Sequence, residues 1–158
     1  MAKIEYKKGN LIDALLTREI NCLIHQANCY HTFGGGIAKE IAQRIPSAYE
    51  ADLLTPLGES KLGDGSVAEL GPNKCVVNLY SQGGVSNTKR MTNYGALALG
   101  LTKIADGFAK TLQEADGSCV IGMPRIGCGL GGGDWEIVSE IIEFAFRNFK
   151  GKVVVYDL

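Results

Sequence analysis

Two glycine-dense loops, each set between an apolar β-rich run and an amphipathic helical pattern, constrain this chain more than any other feature. The first runs Asn28-Cys29-Tyr30-His31-Thr32-Phe33-Gly34-Gly35-Gly36, after the buried-strand pattern Asn21–Ala27 (NCLIHQA). It leads into a helix whose apolar face is Ile37, Ala38, Ile41, Ala42 and Ile45, and Pro46 is expected to stop that helix. The second runs Gly127-Cys128-Gly129-Leu130-Gly131-Gly132-Gly133, after the strand pattern Cys119–Met123. Asp134 is placed to cap the helix that follows, whose apolar side carries Trp135, Val138, Ile141, Ile142, Ala145, Phe146 and Phe149.

Glycine lets a main chain take up positive φ and approach a bound group closely. In open α/β sheets the carboxyl ends of the strands form the ligand crevice, and helix N-termini there present unpaired N–H groups carrying partial positive charge. One such loop is a phosphate cradle, and two facing a common crevice could clasp a diphosphate. The alternative is that the glycines only make tight strand-to-helix turns. Three or more in each of two loops exceeds what a turn requires. The chain has 21 glycines in 158 residues, against a typical share of about 7%.

The rest of the chain supplies a sheet for these loops. Ile4–Lys7 reads as an edge strand, Val67–Leu70 and Cys75–Leu79 as a strand pair turned at Gly71-Pro72-Asn73, and Val153–Tyr156 as a last strand. Thr92–Glu114 reads as a long helix with Leu97, Leu101, Ile104 and Phe108 spaced for burial, and Gly58–Gly65 as a surface loop. Strands alternating with helices predict an α/β fold: a three-layer α/β/α sandwich with a mixed, mostly parallel central sheet, forming a single domain over 1–158.

A formal charge of −1 gives no general electrostatic reason to bind nucleic acid or anionic membrane. Met1–Glu5 lacks a signal peptide's apolar centre, and no stretch of about 20 apolar residues appears. Five cysteines (Cys22, Cys29, Cys75, Cys119, Cys128) without C-x-x-C spacing suggest neither a disulfide framework nor a zinc site. A reduced cytoplasmic protein without cofactor or metal is expected, its oligomeric state open. Gly127, Gly129 and Gly132 fit the dinucleotide fingerprint G-x-G-x-x-G, but close to the C-terminal end and with no well-placed acidic residue beyond, so a nicotinamide-dependent dehydrogenase is disfavoured.

The segments HQANCYHTFGGGIAKEIAQRIPSAYE and MPRIGCGLGGGDWEIVSEIIEF, with KKGNL, VVNLYSQGG and the ending VVVYDL, resemble the macro domain, an ADP-ribose-binding module, essentially end to end. The similarity is to the small stand-alone branch that includes ADP-ribose-1″-phosphate phosphatases, with the ADP-ribosyl-glutamate hydrolases second. The resemblance implies an ADP-ribose derivative as ligand and hydrolysis of ADP-ribose 1″-phosphate as the activity. Removal of ADP-ribose from modified macromolecules, or non-catalytic reading of ADP-ribose, are the alternatives. It further implies that Asn10, beside Leu11, stands where the family recognises adenine. Asn28 stands where the family holds the distal ribose, Phe33 where an aromatic could lie against that sugar. Gly34, Gly35, Gly36 and Ile37 correspond to the first diphosphate loop, and Gly127, Cys128, Gly129 and Leu130 to the second. The hydrolase branch carries an acidic residue directly after G-C-G-L; Gly131 occupies that position here.

For chemistry, either histidine could act as base or acid near neutrality. His25 is equally readable as a hydrogen-bonded core residue, and His31 as an exposed loop residue. Asp134 is a third candidate, with helix capping as its competing role. Arg125 could hold a phosphate or pair with a neighbouring carboxylate. Tyr80, Ser81 and Gln82 end a strand on the expected ligand side. Lys89 reads as solvated, Cys29, Cys128 and Trp135 as packing residues.

Overall fold

The computed structural model describes residues 3–84, 88–108 and 118–158. Six strands form one sheet: β1 (Ile4–Lys8), β2 (Cys22–Asn28), β3 (Gly65–Glu69), β4 (Cys75–Gln82), β5 (Val120–Met123) and β6 (Lys152–Asp157), in the order β1-β6-β5-β2-β4-β3. Every pairing is parallel except β3 with β4, which the turn at Gly71–Asn73 joins as an antiparallel edge.

Strands β2, β4, β5 and β6 read as largely apolar runs because both their faces are covered, whereas β1 and β3 at the sheet edges are mostly exposed. On one face Cys22, Ile24, Val77, Leu79, Ile121 and Val155 pack under helices α4 (Tyr94–Lys103) and α5 (Trp135–Ala145). On the other, Leu23, Val76, Tyr80 and Val154 pack under α1 (Leu11–Leu16), α2 (Gly36–Arg44) and α3 (Pro46–Leu53). The period-two alternation also sorts the polar residues of the central strands: Gln26 and Ser81 belong with the α4/α5 face, His25 and Asn78 with the other. Among the described residues no helix is long and apolar enough to cross a membrane.

Local departures from expectation have identifiable causes. Pro46 ends α2 but opens α3 at its first position, where a missing N–H costs nothing. Asn10 caps α1, a helix absent from the periodicity reading because it is only one and a half turns long. The expected helix from Thr92 starts at Tyr94 behind an Asn93 cap and widens into a π turn at Ile104–Phe108; its stretch to Glu114 lies outside the described residues. The expected loop at Gly58–Gly65 contains a 3-10 turn, Glu59–Lys61.

All parallel strands end at one edge of the sheet. Chain order reverses between β2 and β5, and this switch point is where a ligand crevice forms in such folds.

Candidate functional site

A cavity of about 760 Å³ opens at that switch point. Its floor is Gln26–Asn28 from β2, Gln82 from the end of β4, and Pro124–Ile126 beyond β5; its walls are the two glycine loops, Gly34–Ala38 with Thr32 on one side and Gly127 with Gly129–Gly131 on the other. The volume lies within the range of small-molecule and cofactor sites.

The first loop is shaped by Asn28. Its amide donates to the Thr32 carbonyl (2.8 Å) and hydroxyl (2.6 Å), and its Oδ1 accepts from Tyr30 N–H (2.8 Å), folding the loop back on the strand end. Gly36 then takes φ +58° at the first position of α2, a left-handed value that a side chain would strain. Gly35, the N-cap, has no side chain to offer, so the N–H groups of Gly36, Ile37 and Ala38 begin α2 uncapped beside the cavity.

The second loop turns at Gly127 (φ +75°) and Gly132 (φ +75°). Main-chain bonds Cys128 N–H to Arg125 C=O, Gly132 N–H to Gly129 C=O and Gly133 N–H to Gly127 C=O (2.7 Å) close it on itself. Among the described residues the N–H groups of Gly129, Leu130 and Gly131 find no acceptor, and all three residues line the cavity. Leu130, 69% exposed, bridges the loops: a Cβ at Gly35 would sit 2.8 Å from its Cδ1. At Gly131 a Cβ would fall 2.3 Å from Thr92 Oγ1, 2.6 Å from Gln26 Nε2 and 2.9 Å from the Gly127 carbonyl, so this backbone has no room for an acidic side chain at the hydrolase-branch position.

Gly34, Gly35, Gly36, Ile37, Gly127, Gly129, Leu130, Asn28, Gln82 and Arg125 are thus brought together around one cavity. The other candidates stand elsewhere. Asn10 points its Oδ1 at Asp13 N–H as the α1 cap, and Leu11 is buried in the core. Phe33 is turned inward, edge-on to His25 (centroids 5.4 Å) and against Tyr49 (5.0 Å). Ser81 is fully buried and donates to Gln26 Oε1 (2.6 Å). Cys128 is half-buried off the lining, its thiol pushed up chiefly by burial.

None of the three candidates for acid–base chemistry lines the cavity. His25 is completely buried, with Nε2 2.7 Å from Asn78 Oδ1 and, among the described residues, no hydrogen-bond partner at Nδ1; burial lowers its pKa to about 4, holding it neutral. His31 adopts φ +58° and donates through Nε2 to the Thr55 carbonyl (2.9 Å), while its own carbonyl accepts from Tyr49 OH. Asp134 caps α5, accepting from Glu136 N–H (2.9 Å). Arg125 reaches the rim but is paired at two points with Asp157 (2.9 and 3.1 Å) and lies over the rings of Tyr6 and Trp135.

The residue-level reading missed Gln26 and Thr32 in the lining and Thr92 behind it. Gln26 had a signal, since it stands two residues before Asn28 and so leans to the same side of β2; Thr92 had none, because only the fold brings it to Gly127.

No protein-family model matches the chain. It is 34% identical to an uncharacterised 17.5 kDa protein of Enterobacteria phage T4, over 98% of this chain and 96% of that one. It is 28% identical to the ADP-ribose 1″-phosphate phosphatase of Saccharomyces cerevisiae, over the full length of both. In structure it is similar to the macrodomain of Mycobacterium tuberculosis DarG, with a TM-score of 0.74 at 21% identity, covering 100% of this chain and 99% of that one. The chain thus has the macrodomain fold and is similar to an ADP-ribose 1″-phosphate phosphatase along the whole of both chains.

Proposed function

We propose that the chain, as one ligand-binding unit over residues 1–158 in a reducing, cytoplasmic setting, binds ADP-ribose between its glycine loops and hydrolyses ADP-ribose 1″-phosphate to ADP-ribose and phosphate. One observation carries the reading: two sets of main-chain N–H groups that find no acceptor among the described residues, Gly36–Ala38 and Gly129–Gly131, belong to opposite walls of a cavity large enough for a nucleotide sugar. The kinship with the yeast phosphatase supports the choice of substrate.

Phosphoryl transfer places its main demand on positioning and on neutralising the charge of the equatorial oxygens, which fixed amides and an uncapped helix start supply. Water's oxygen bonds to phosphorus, the phosphorus–O1″ bond breaks, and one of the water's two protons passes to the sugar oxygen while the other stays on the released phosphate. Asn28, Thr32 and Gln82 supply the polar side chains around that step, with Arg125, neutralised by Asp157, at the rim. A second reading, a non-catalytic ADP-ribose reader, is favoured by this same lining, whose polar groups bind without titrating near neutral pH.

The test is phosphate release from ADP-ribose 1″-phosphate against a Gly35→Glu control. Release by the parent protein alone supports the phosphatase. Calorimetric binding of ADP-ribose without release above the control supports the reader, and absence of both removes the proposal.

A further inference from the structure

Behind the second glycine loop lies a hydrogen-bonded junction made by residues of three separate segments. Gln26, on β2, accepts from Ser81 Oγ–H through Oε1 (2.6 Å) and donates through Nε2 to Gln82 Oε1 (3.1 Å) and to Thr92 Oγ1 (3.0 Å). Thr92, 2% exposed, passes the chain on: its hydroxyl donates to the Gly127 carbonyl (2.7 Å), and the N–H groups of Met91 and Thr92 donate to the Gly131 carbonyl (2.9 and 3.1 Å). Both protons of the Gln26 amide are committed, so Gln26 acts as a strut and has no donor left for a ligand.

The junction and the loop are complementary in space. The site a side chain would take at Gly131 is filled by Thr92 Oγ1 and Gln26 Nε2, and a Cβ at Gly127 would meet Thr92 Cγ2 at 3.0 Å. The two carbonyls that Thr92 holds, at 127 and 131, bracket Gly129–Gly131, whose N–H groups find no acceptor among the described residues. Tying these two carbonyls anchors the loop at both ends, and the bond from Gly132 N–H to the Gly129 carbonyl fixes the peptide that carries the Leu130 N–H between them.

We propose that Gln26 and Thr92 are positioning residues for the second glycine loop, acting on the ligand only through the orientation of the Gly129–Gly131 amides. The inference rests on the ligand reading above, but its first readout needs no ligand. Amide spectra of the isotope-labelled, unliganded protein are compared for the parent, Thr92→Val and Thr92→Ser, followed by titration with ADP-ribose. Thr92→Val keeps the shape and removes the donor. It is expected to displace the amides of Gly127–Gly133 while leaving Gly34–Ala38 in place, and to weaken ADP-ribose binding about tenfold, the effect of roughly one hydrogen bond. Thr92→Ser, which keeps the hydroxyl, restores both. If Thr92→Val disturbs the whole spectrum, the readout passes to Ser81→Ala, which removes the outermost bond of the chain and is expected to move the same amides by less. Second-loop amides that stay in place in the well-folded variants, or a Thr92→Ser protein no better than Thr92→Val, overturn the proposal. Failure of the parent protein to take up ADP-ribose overturns the ligand reading instead, leaving the unliganded spectra to decide this one.

Discussion

The two glycine loops look alike in sequence, yet they reach a cavity by opposite means. The first runs into a helix that nothing caps: Gly35 stands at the N-cap, and the start of α2 keeps its free N–H groups and the positive end of its dipole. The second runs into a helix whose start is closed by the Asp134 carboxylate, so α5 brings no free positive end to the cavity. There the N–H donors belong to the loop itself, and Thr92 and Gln26 hold them from behind. Glycine thus serves two ends. At 35 and 36 it leaves a helix open, and at 127 and 131 it makes room for a polar strut.

The comparison can be broken most forcefully at Gly35. A glutamate there meets only the flexible, exposed Leu130 side chain, so the fold persists, while a negative charge enters the uncapped helix start. Calorimetry is expected to show ADP-ribose binding weakened at least about a hundredfold, near 3 kcal/mol. A near-parental affinity would mean that α2 does not hold the ligand.

Acid probes what lies behind the first loop. His25, beneath Phe33, has a folded pKa near 4, below its unfolded value of about 6.5. The unfolded chain therefore binds the proton more readily. This contribution to stability is fully present above pH 6.5 and is lost as pH falls toward 4, by roughly 3 kcal/mol at most. Urea unfolding at stepped pH should show that slope, and His25→Gln should flatten it. Hydrogen exchange at pH 5 should rise at Gly34–Ala38 before Gly129–Gly131.

A smaller change belongs to the second loop. Gly131→Ala presses its methyl into Thr92, Gln26 and the Gly127 carbonyl, and should lower unfolding stability by about 2 kcal/mol. Smaller still, Asp134→Ala removes the α5 cap. It should cost about 1 kcal/mol in thermal or urea unfolding and leave ADP-ribose affinity within about twofold, since Asp134 does not line the cavity. A large loss of affinity would restore a direct role for that carboxylate.

Much of this was legible in the residues. Apolar runs marked the covered strands β2, β4, β5 and β6, and the α2 and α5 patterns were long enough to read, because burial imposes a period that local sequence must carry. Asp134 as a cap and Arg125 beside a carboxylate were both open readings, and the structure shows each of those contacts. What escaped was non-local. Pro46 signals a helix end and a helix start with the same ring. Phe33 looked available to a sugar until Tyr49, from α3, closed over it. His25 becomes a neutral core residue only through Asn78, 53 positions away in the chain, and Thr92 meets Gly127 from 35 positions away. Such pairings follow from strand order, which no window of sequence displays.

The most direct test of the central claim is titration of the isotope-labelled protein with ADP-ribose while its amide signals are followed. The account expects both Gly36–Ala38 and Gly129–Gly131 to move with one common saturation curve. Saturable binding that shifts only one of the two groups, or neither, would contradict the idea that two unlike loops grip one diphosphate.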